Sequence, residues 1–252
     1  MIEHILQNIS IKAKSLFVTL GGSIFVDNGE NNRIEKWSIN TTSSIPVETG
    51  NKACYGLFID LRNTIYCSAR NLNEVIKKSL NTDINDSGVA AGNGSCGSAL
   101  NQLCHPHGIF VDTNFTLYVA DTNNSRIQRF SSGNQTGITI LSNETVSEIR
   151  LRNPTGIVLD ADENMFIVDE RNLRIIRWKR DGSYSCLVGC PEEQKAAFDP
   201  LKYPRSPSFD SYGNIYVADM SNGRIQKFIL MSNVCGKYTF LLFSNVTNIF
   251  AS

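Results

Sequence analysis

The side chains of this 252-residue chain best suited to chemistry are its paired acids and arginines, two neighbouring histidines and seven cysteines. Asp121 and Arg126, Asp169 and Arg174, and Asp219 and Arg224 stand five residues apart, and Asp27 and Arg33 stand six apart. A carboxylate beside a guanidinium can hold a proton-transfer group in place. An active site is built once, however, and this pair is built four times. The pairs therefore read as turn braces, the carboxylate accepting turn amides and the arginine bracing it or the next repeat. His105-Pro106-His107-Gly108 brings two imidazoles together, but a zinc site draws on three or four ligands and the only other histidine is His4. Asp160-Ala161-Asp162-Glu163 offers oxygen ligands of the kind calcium takes, in a run that reads as a solvated turn. We expect no catalytic residue, no metal and no cofactor.

Six of the cysteines lie near a neighbour: Cys54 with Cys67, Cys96 with Cys104, and Cys186 with Cys190, leaving Cys235. These spacings fit local disulfides, and none is a metal-binding CxxC knuckle. Nine N-x-S/T sequons fall at Asn8, Asn40, Asn85, Asn93, Asn114, Asn123, Asn134, Asn143 and Asn245. Paired cysteines and sequons together point to an extracellular or secreted chain. The N-terminal residues carry no signal peptide, so its leader is expected to lie outside this sequence. A cytoplasmic chain with free thiols is the alternative.

The elements that must position these groups repeat. Five segments align: SLFVTLGGSIFVDNGENNRIEKW (15–37), GLFIDLRNTIYCSARNLNEVIKK (56–78), GIFVDTNFTLYVADTNNSRIQRF (108–130), GIVLDADENMFIVDERNLRIIRW (156–178) and SPSFDSYGNIYVADMSNGRIQKF (206–228). Positions 27, 69, 121, 169 and 219 correspond, giving steps of 42, 52, 48 and 50 residues, a propeller-blade period. Each copy holds three alternating apolar runs separated by polar turns, which predicts antiparallel strands. A fourth run follows at Val89–Ala91, Ile138–Leu141 and Cys186–Val188, making four strands per repeat.

The sequence of G-I-x-V-D, I-Y-V-A-D, a turn and R-I-Q-x-F resembles the NHL repeat. The resemblance covers residues 15 to about 228 and implies an all-β, NHL-type β-propeller. Such propellers usually close with six blades. The expected organisation is an N-terminal segment, 1–14, able to supply a closing strand, and one propeller domain, 15–252. Five repeats leave a five-bladed closed ring, a six-bladed ring closed irregularly from both termini, or an open arc; an arc or imperfect ring of six-bladed origin is expected, with 238–243 as a further closing strand.

The resemblance implies three function classes. Protein-interaction modules and RNA-binding platforms are two; a zinc-dependent amidating lyase and shape-related lactonases make up the third. A lyase resembling that family would need one histidine from each of several blades; the positions matching His107 are Tyr55, Thr155 and Arg205. With 24 basic and 24 acidic residues there is no net field to draw nucleic acid. The longest apolar run, Tyr238–Phe243, is too short to span a bilayer. We expect a non-enzymatic scaffold for a protein, peptide or glycan. The residues that vary while the scaffold repeats, Tyr55, His107, Thr155 and Arg205, are the expected ligand positions. Open edges or Cys235 offer routes to assembly.

Overall fold

A computed structural model of the chain describes residues 13–28, 32–38, 41, 43–47, 52–82, 87–190, 201–232 and 238–246. Strands β1 (Leu16–Val18), β2 (Ile24–Asn28), β3 (Arg33–Trp37) and β4 (Ile45–Val47) form the first sheet. The second holds β5 (Leu57–Ile59), β6 (Thr64–Ala69), β7 (Glu74–Ser79) and β8 (Ser87–Ala91). The third holds β9 (Ile109–Val111), β10 (Leu117–Asp121), β11 (Arg126–Phe130) and β12 (Ile138–Ser142). The fourth holds β13 (Pro154–Leu159), β14 (Met165–Asp169), β15 (Arg174–Trp178) and β16 (Tyr184–Val188). The fifth holds β17 (Pro204–Phe209), β18 (Ile215–Asp219), β19 (Arg224–Ser232) and β20 (Tyr238–Val246).

In each sheet the strands lie side by side in chain order. The expected all-β propeller architecture of five four-stranded blades is what the chain adopts. The segment expected to close a ring, 238–243, lies in β20 and pairs antiparallel with β19 as the outer strand of the fifth blade. Residues 1–12 of the expected N-terminal closing segment and Cys235 lie outside the described residues, and residues 13 and 14 belong to no strand.

The chain divides after Leu141 into two compact units. In the first, alternation along β6 sends Ile65 and Cys67 into a core with Phe25 and Ile34 of the first sheet. Tyr66 points the other way, into a core with Ile109, Val119 and Phe130 of the third. In the second unit, Phe166 and Ile175 of the fourth sheet pack on Ile215, Val217 and Phe228 of the fifth. A small sheet cannot bury enough apolar surface alone, so each blade face is completed by its neighbour.

Candidate functional site

The repeated acids end the second strand of their blades, each followed by a 3₁₀ turn that closes on a left-handed residue: Ser125, Leu173 or Gly223. Cross-strand register sets Asp121 opposite Arg126, Asp169 opposite Arg174 and Asp219 opposite Arg224. The arginine Nε donates to the carboxylate at 2.7, 2.9 and 2.8 Å respectively. The other carboxylate oxygen accepts the backbone N–H of the segment leading into the blade: Cys104 at 2.7 Å, Arg152 at 2.7 Å and Lys202 at 2.6 Å. A third partner had no counterpart in the sequence reading. Asn124, Asn172 and Asn222, each three residues after the acid, donate Nδ2 to the oxygen that the arginine holds. Arg126 also donates to the carbonyls of Ser98, Ala99 and Gln102, so it ties the preceding loop to the turn.

Burial is the dominant influence on these acids. It pushes the carboxyls of Asp27, Asp121 and Asp169 above the ordinary aspartate value, outweighing the hydrogen bonds that lower it.

The first and second copies depart from the pattern. Asp27 lies opposite Ile34, while Arg33 lies opposite Asn28, so the one-residue offset puts Arg33 on the other face of the strand. Arg33 instead pairs with Glu35 at 2.9 Å, two residues along the same face, which corrects the expected Asp27–Arg33 brace. Asp27 accepts instead the N–H of Cys54, in the segment leading into the second blade, at 2.7 Å. In the second blade Ala69 faces Glu74.

At the opposite end of the blades a second acid recurs. One oxygen of Asp60, Asp112, Asp160 and Asp210 accepts the N–H groups two and four residues on, closing the hairpin between the first and second strands. Asp160 and Asp162 of the acid run thus belong to a turn. Tyr66 donates its hydroxyl to Asp60 at 3.2 Å, and burial first, with that carboxylate second, pushes the phenol up to about 12. Among the described residues no group of three or more His, Cys, Asp or Glu side chains is arranged to hold a metal ion.

The four varying residues lie at the end that carries the Asp–Asn–Arg turns. In the first unit Tyr55 and His107 meet edge to face, with ring centroids 5.6 Å apart. Lys14 and Arg70 approach the Tyr55 ring at 5.7 and 5.2 Å, distances at which cations are attracted to an aromatic face. His107 is buried, and its carbonyl accepts the Ser68 hydroxyl. His105 lies nearby, its Nδ1 2.8 Å from Asn123 Nδ2.

In the second unit Thr155 is buried and donates to the Pro204 carbonyl at 3.2 Å, and Arg205 pairs with the buried Glu170 at 3.4 Å. Around them stand the exposed cations Arg152, Arg171 and Lys202, with Tyr203 and Met220. A glycine sets the spacing in both units. A Cβ on Gly56 would overlap the carbonyl of His107, and one on Gly156 the carbonyl of Arg205. Gly56 and Gly156, the residues after Tyr55 and Thr155, therefore receive the backbone of the corresponding position one blade on.

The structure thus brings Tyr55 to His107, and Thr155 and Arg205 to the same stretch of backbone. Lys14, Arg70 and Glu170 were not anticipated. Arg70 and Glu170 occupy the position after the repeated acid, where the copies read Arg70, Thr122, Glu170 and Met220 between repeating flanks. That variation was available in the sequence.

All three expected disulfides are present: Cys54–Cys67, Cys96–Cys104 and Cys186–Cys190. No helix among the described residues is long and apolar enough to cross a membrane.

With this geometry established, comparison with known proteins places the fold. The NHL repeat family model matches residues 103–130. No protein of curated description matches the chain by sequence. Among solved structures, the chain is similar to a selenomethionine-substituted virginiamycin B lyase from Staphylococcus aureus, with TM-score 0.59 and 13% identity, covering 93% of this chain and 71% of that one. A catalytically inactive variant of virginiamycin B lyase from Staphylococcus aureus with quinupristin matches with TM-score 0.62 and 14% identity, covering 92% and 70%. A nidogen/laminin complex matches with TM-score 0.67 and 16% identity, covering 90% and 78%. The chain thus has a β-propeller fold and carries a match to the NHL repeat at residues 103–130.

Proposed function

We propose that the chain is a non-enzymatic extracellular scaffold that binds a protein partner through the blade ends bearing the Asp–Asn–Arg turns. The observation that carries this reading is a division of labour. The repeated acids and arginines are consumed in bracing the blades, while the positions that vary at the same end present aromatic and cationic groups: Tyr55 with Lys14 and Arg70, and Arg205 with Arg152, Arg171, Lys202 and Tyr203. Tyrosine, arginine and methionine are the residue types enriched at protein interfaces. Three disulfides support an oxidising compartment, and the likeness to a nidogen/laminin complex supports a protein as the partner.

The test is surface plasmon resonance against a panel of purified extracellular proteins, laminin included. Arg70→Glu and Lys202→Glu should each weaken a bound partner at least about tenfold, the scale of a lost interface charge pair. Asp162→Lys, at the opposite blade end, should leave affinity unchanged. Loss of binding in Asp162→Lys alone would place the interface at the other end. Quinupristin incubated with the chain should be recovered unchanged by chromatography; its conversion would favour a lyase. Titration of the native protein should find three disulfides.

A further inference from the structure

Five sequon asparagines have described side chains, Asn93, Asn114, Asn123, Asn134 and Asn143, and all five are exposed. Exposure therefore does not separate them; local geometry does. The Asn134 Oδ1 accepts the N–H of Thr136 at 2.9 Å, and the Asn93 Oδ1 accepts the N–H of Ser95 at 3.1 Å. In both, the residue bearing the hydroxyl of the sequon closes a turn onto the asparagine. The side-chain oxygen is turned inward and Nδ2 is left facing solvent, without a protein acceptor among the described residues. At Asn123 and Asn143 Nδ2 is engaged, 2.8 Å from His105 Nδ1 and 3.2 Å from the Leu151 carbonyl. At Asn114 the Thr116 N–H is taken by Asp112 at 2.8 Å, so the sequon turn does not form.

We propose that Asn93 and Asn134 are the N-glycan acceptors among these five, a proposal that rests on the extracellular reading above. In the transfer, Asn Nδ2 bonds to C1 of a lipid-linked oligosaccharide diphosphate. The C1–O bond breaks, the diphosphate leaves with the electron pair, and Nδ2 gives up one proton. An amide nitrogen is a weak nucleophile, so presentation decides which one reacts. A turn closed within three residues needs no tertiary structure and is accessible to a chain still folding. The engaged asparagines owe their contacts to residues 18 and 8 positions away. Asn134 lies in the turn between β11 and β12, at the blade end opposite Tyr55 and Arg70, so a glycan there leaves the proposed binding end open. Asn93 adjoins Gly94, whose carbonyl accepts Asn73, and a glycan there borders that end.

The experiment produces the full chain, with a secretory leader, in animal cells and maps each asparagine by mass spectrometry after enzymatic deglycosylation in heavy-oxygen water. Occupancy at Asn93 and Asn134 should exceed that at Asn114, Asn123 and Asn143 several-fold, and Ser95→Ala and Thr136→Ala should each remove one glycan. Unmodified Asn93 and Asn134, or equal occupancy at all five, would overturn the proposal. Thiol titration of the native protein separates this from the reading it rests on. Seven free thiols would overturn the extracellular reading, and native glycosylation with it. Three disulfides with both acceptors bare would overturn the acceptor assignment alone.

Discussion

The second and third blades perform the same mechanical task with different chemistry. In the third, the segment leading into the blade is pinned to the end of the second strand by a buried carboxylate: Asp121 accepts the Cys104 N–H and is itself held by Asn124 and Arg126. In the second, Ala69 stands in that position and accepts nothing. There the lead-in residue Cys54 is bonded covalently to Cys67 of β6, with Cα atoms 5.1 Å apart, and its N–H goes to Asp27 of the first blade. The fold needs the lead-in fixed to the second strand, and a carboxylate network or a disulfide will do it. The two solutions differ in what breaks them: the link to the second strand is lost in the third blade when Asp121 is replaced and in the second when Cys54–Cys67 is reduced. Cys104 is tied by its own disulfide only to Cys96, within the lead-in.

The largest effect should follow from Asp121→Ala. The change leaves the Cys104 N–H and the Asn124 amide without their acceptor and Arg126 buried without its counter-charge. Breaking one side of a buried ion pair costs about 3–5 kcal/mol, read as a fall in the urea midpoint. Burial raises the carboxyl of Asp121 against the hydrogen bonds that lower it, so the cost of the substitution is read as that of orphaning its partners. A loss below about 1 kcal/mol, the scale of a surface pair, would show that Asp121 is not the pin.

Replacing Cys54 and Cys67 together by alanine should cost about 3 kcal/mol, the loop-closure value for a crosslink of this span. Reductant, which also opens Cys96–Cys104 and Cys186–Cys190, should cost the parent chain at least as much as the double replacement and add nothing to the double variant on account of this bond. Hydrogen exchange should localise the loosening to β5 and β6, with β9 and β10 unaffected. Equal loosening of both blades would dissolve the contrast between them.

Asn124→Ala tests the network at one remove. It deletes one hydrogen bond to a charged acceptor and one to the Gly97 carbonyl while leaving Arg126 in place, so about 2–3 kcal/mol is expected, with Asn172→Ala, which also loses the Arg150 carbonyl, close to it. The aligned repeats held this partner, an asparagine three residues after the acid in three copies, but asparagine is common in turns, so its recurrence does not by itself mark a ligand of the acid. What the sequence did disclose was local or periodic. Strand alternation, the five blade cores, three acid–arginine braces and three short-range disulfides all depend on neighbours a few residues away or on the blade period. The groups around Tyr55 and Arg205 were only half legible. Variation among copies marked Tyr55, His107, Thr155 and Arg205, but Lys14 and Glu170 arrive from the preceding blade, and only packing between blades brings them there.

The smallest effect should come from Arg33→Ala. Spacing alone made Arg33 the partner of Asp27, yet the extra residue in its turn reverses the face it presents, and it meets Glu35 with its own side chain 46% exposed. An exposed pair of this kind contributes at most about 1 kcal/mol, so Arg33→Ala should shift the urea midpoint little, and less still in high salt. Arg126→Ala is the matched comparison, because it strands a fully buried carboxylate and should cost several-fold more. If the two substitutions proved equally costly, Arg33 would be bracing the first blade as the other three arginines brace theirs, and the register shift would not have the consequence drawn from it.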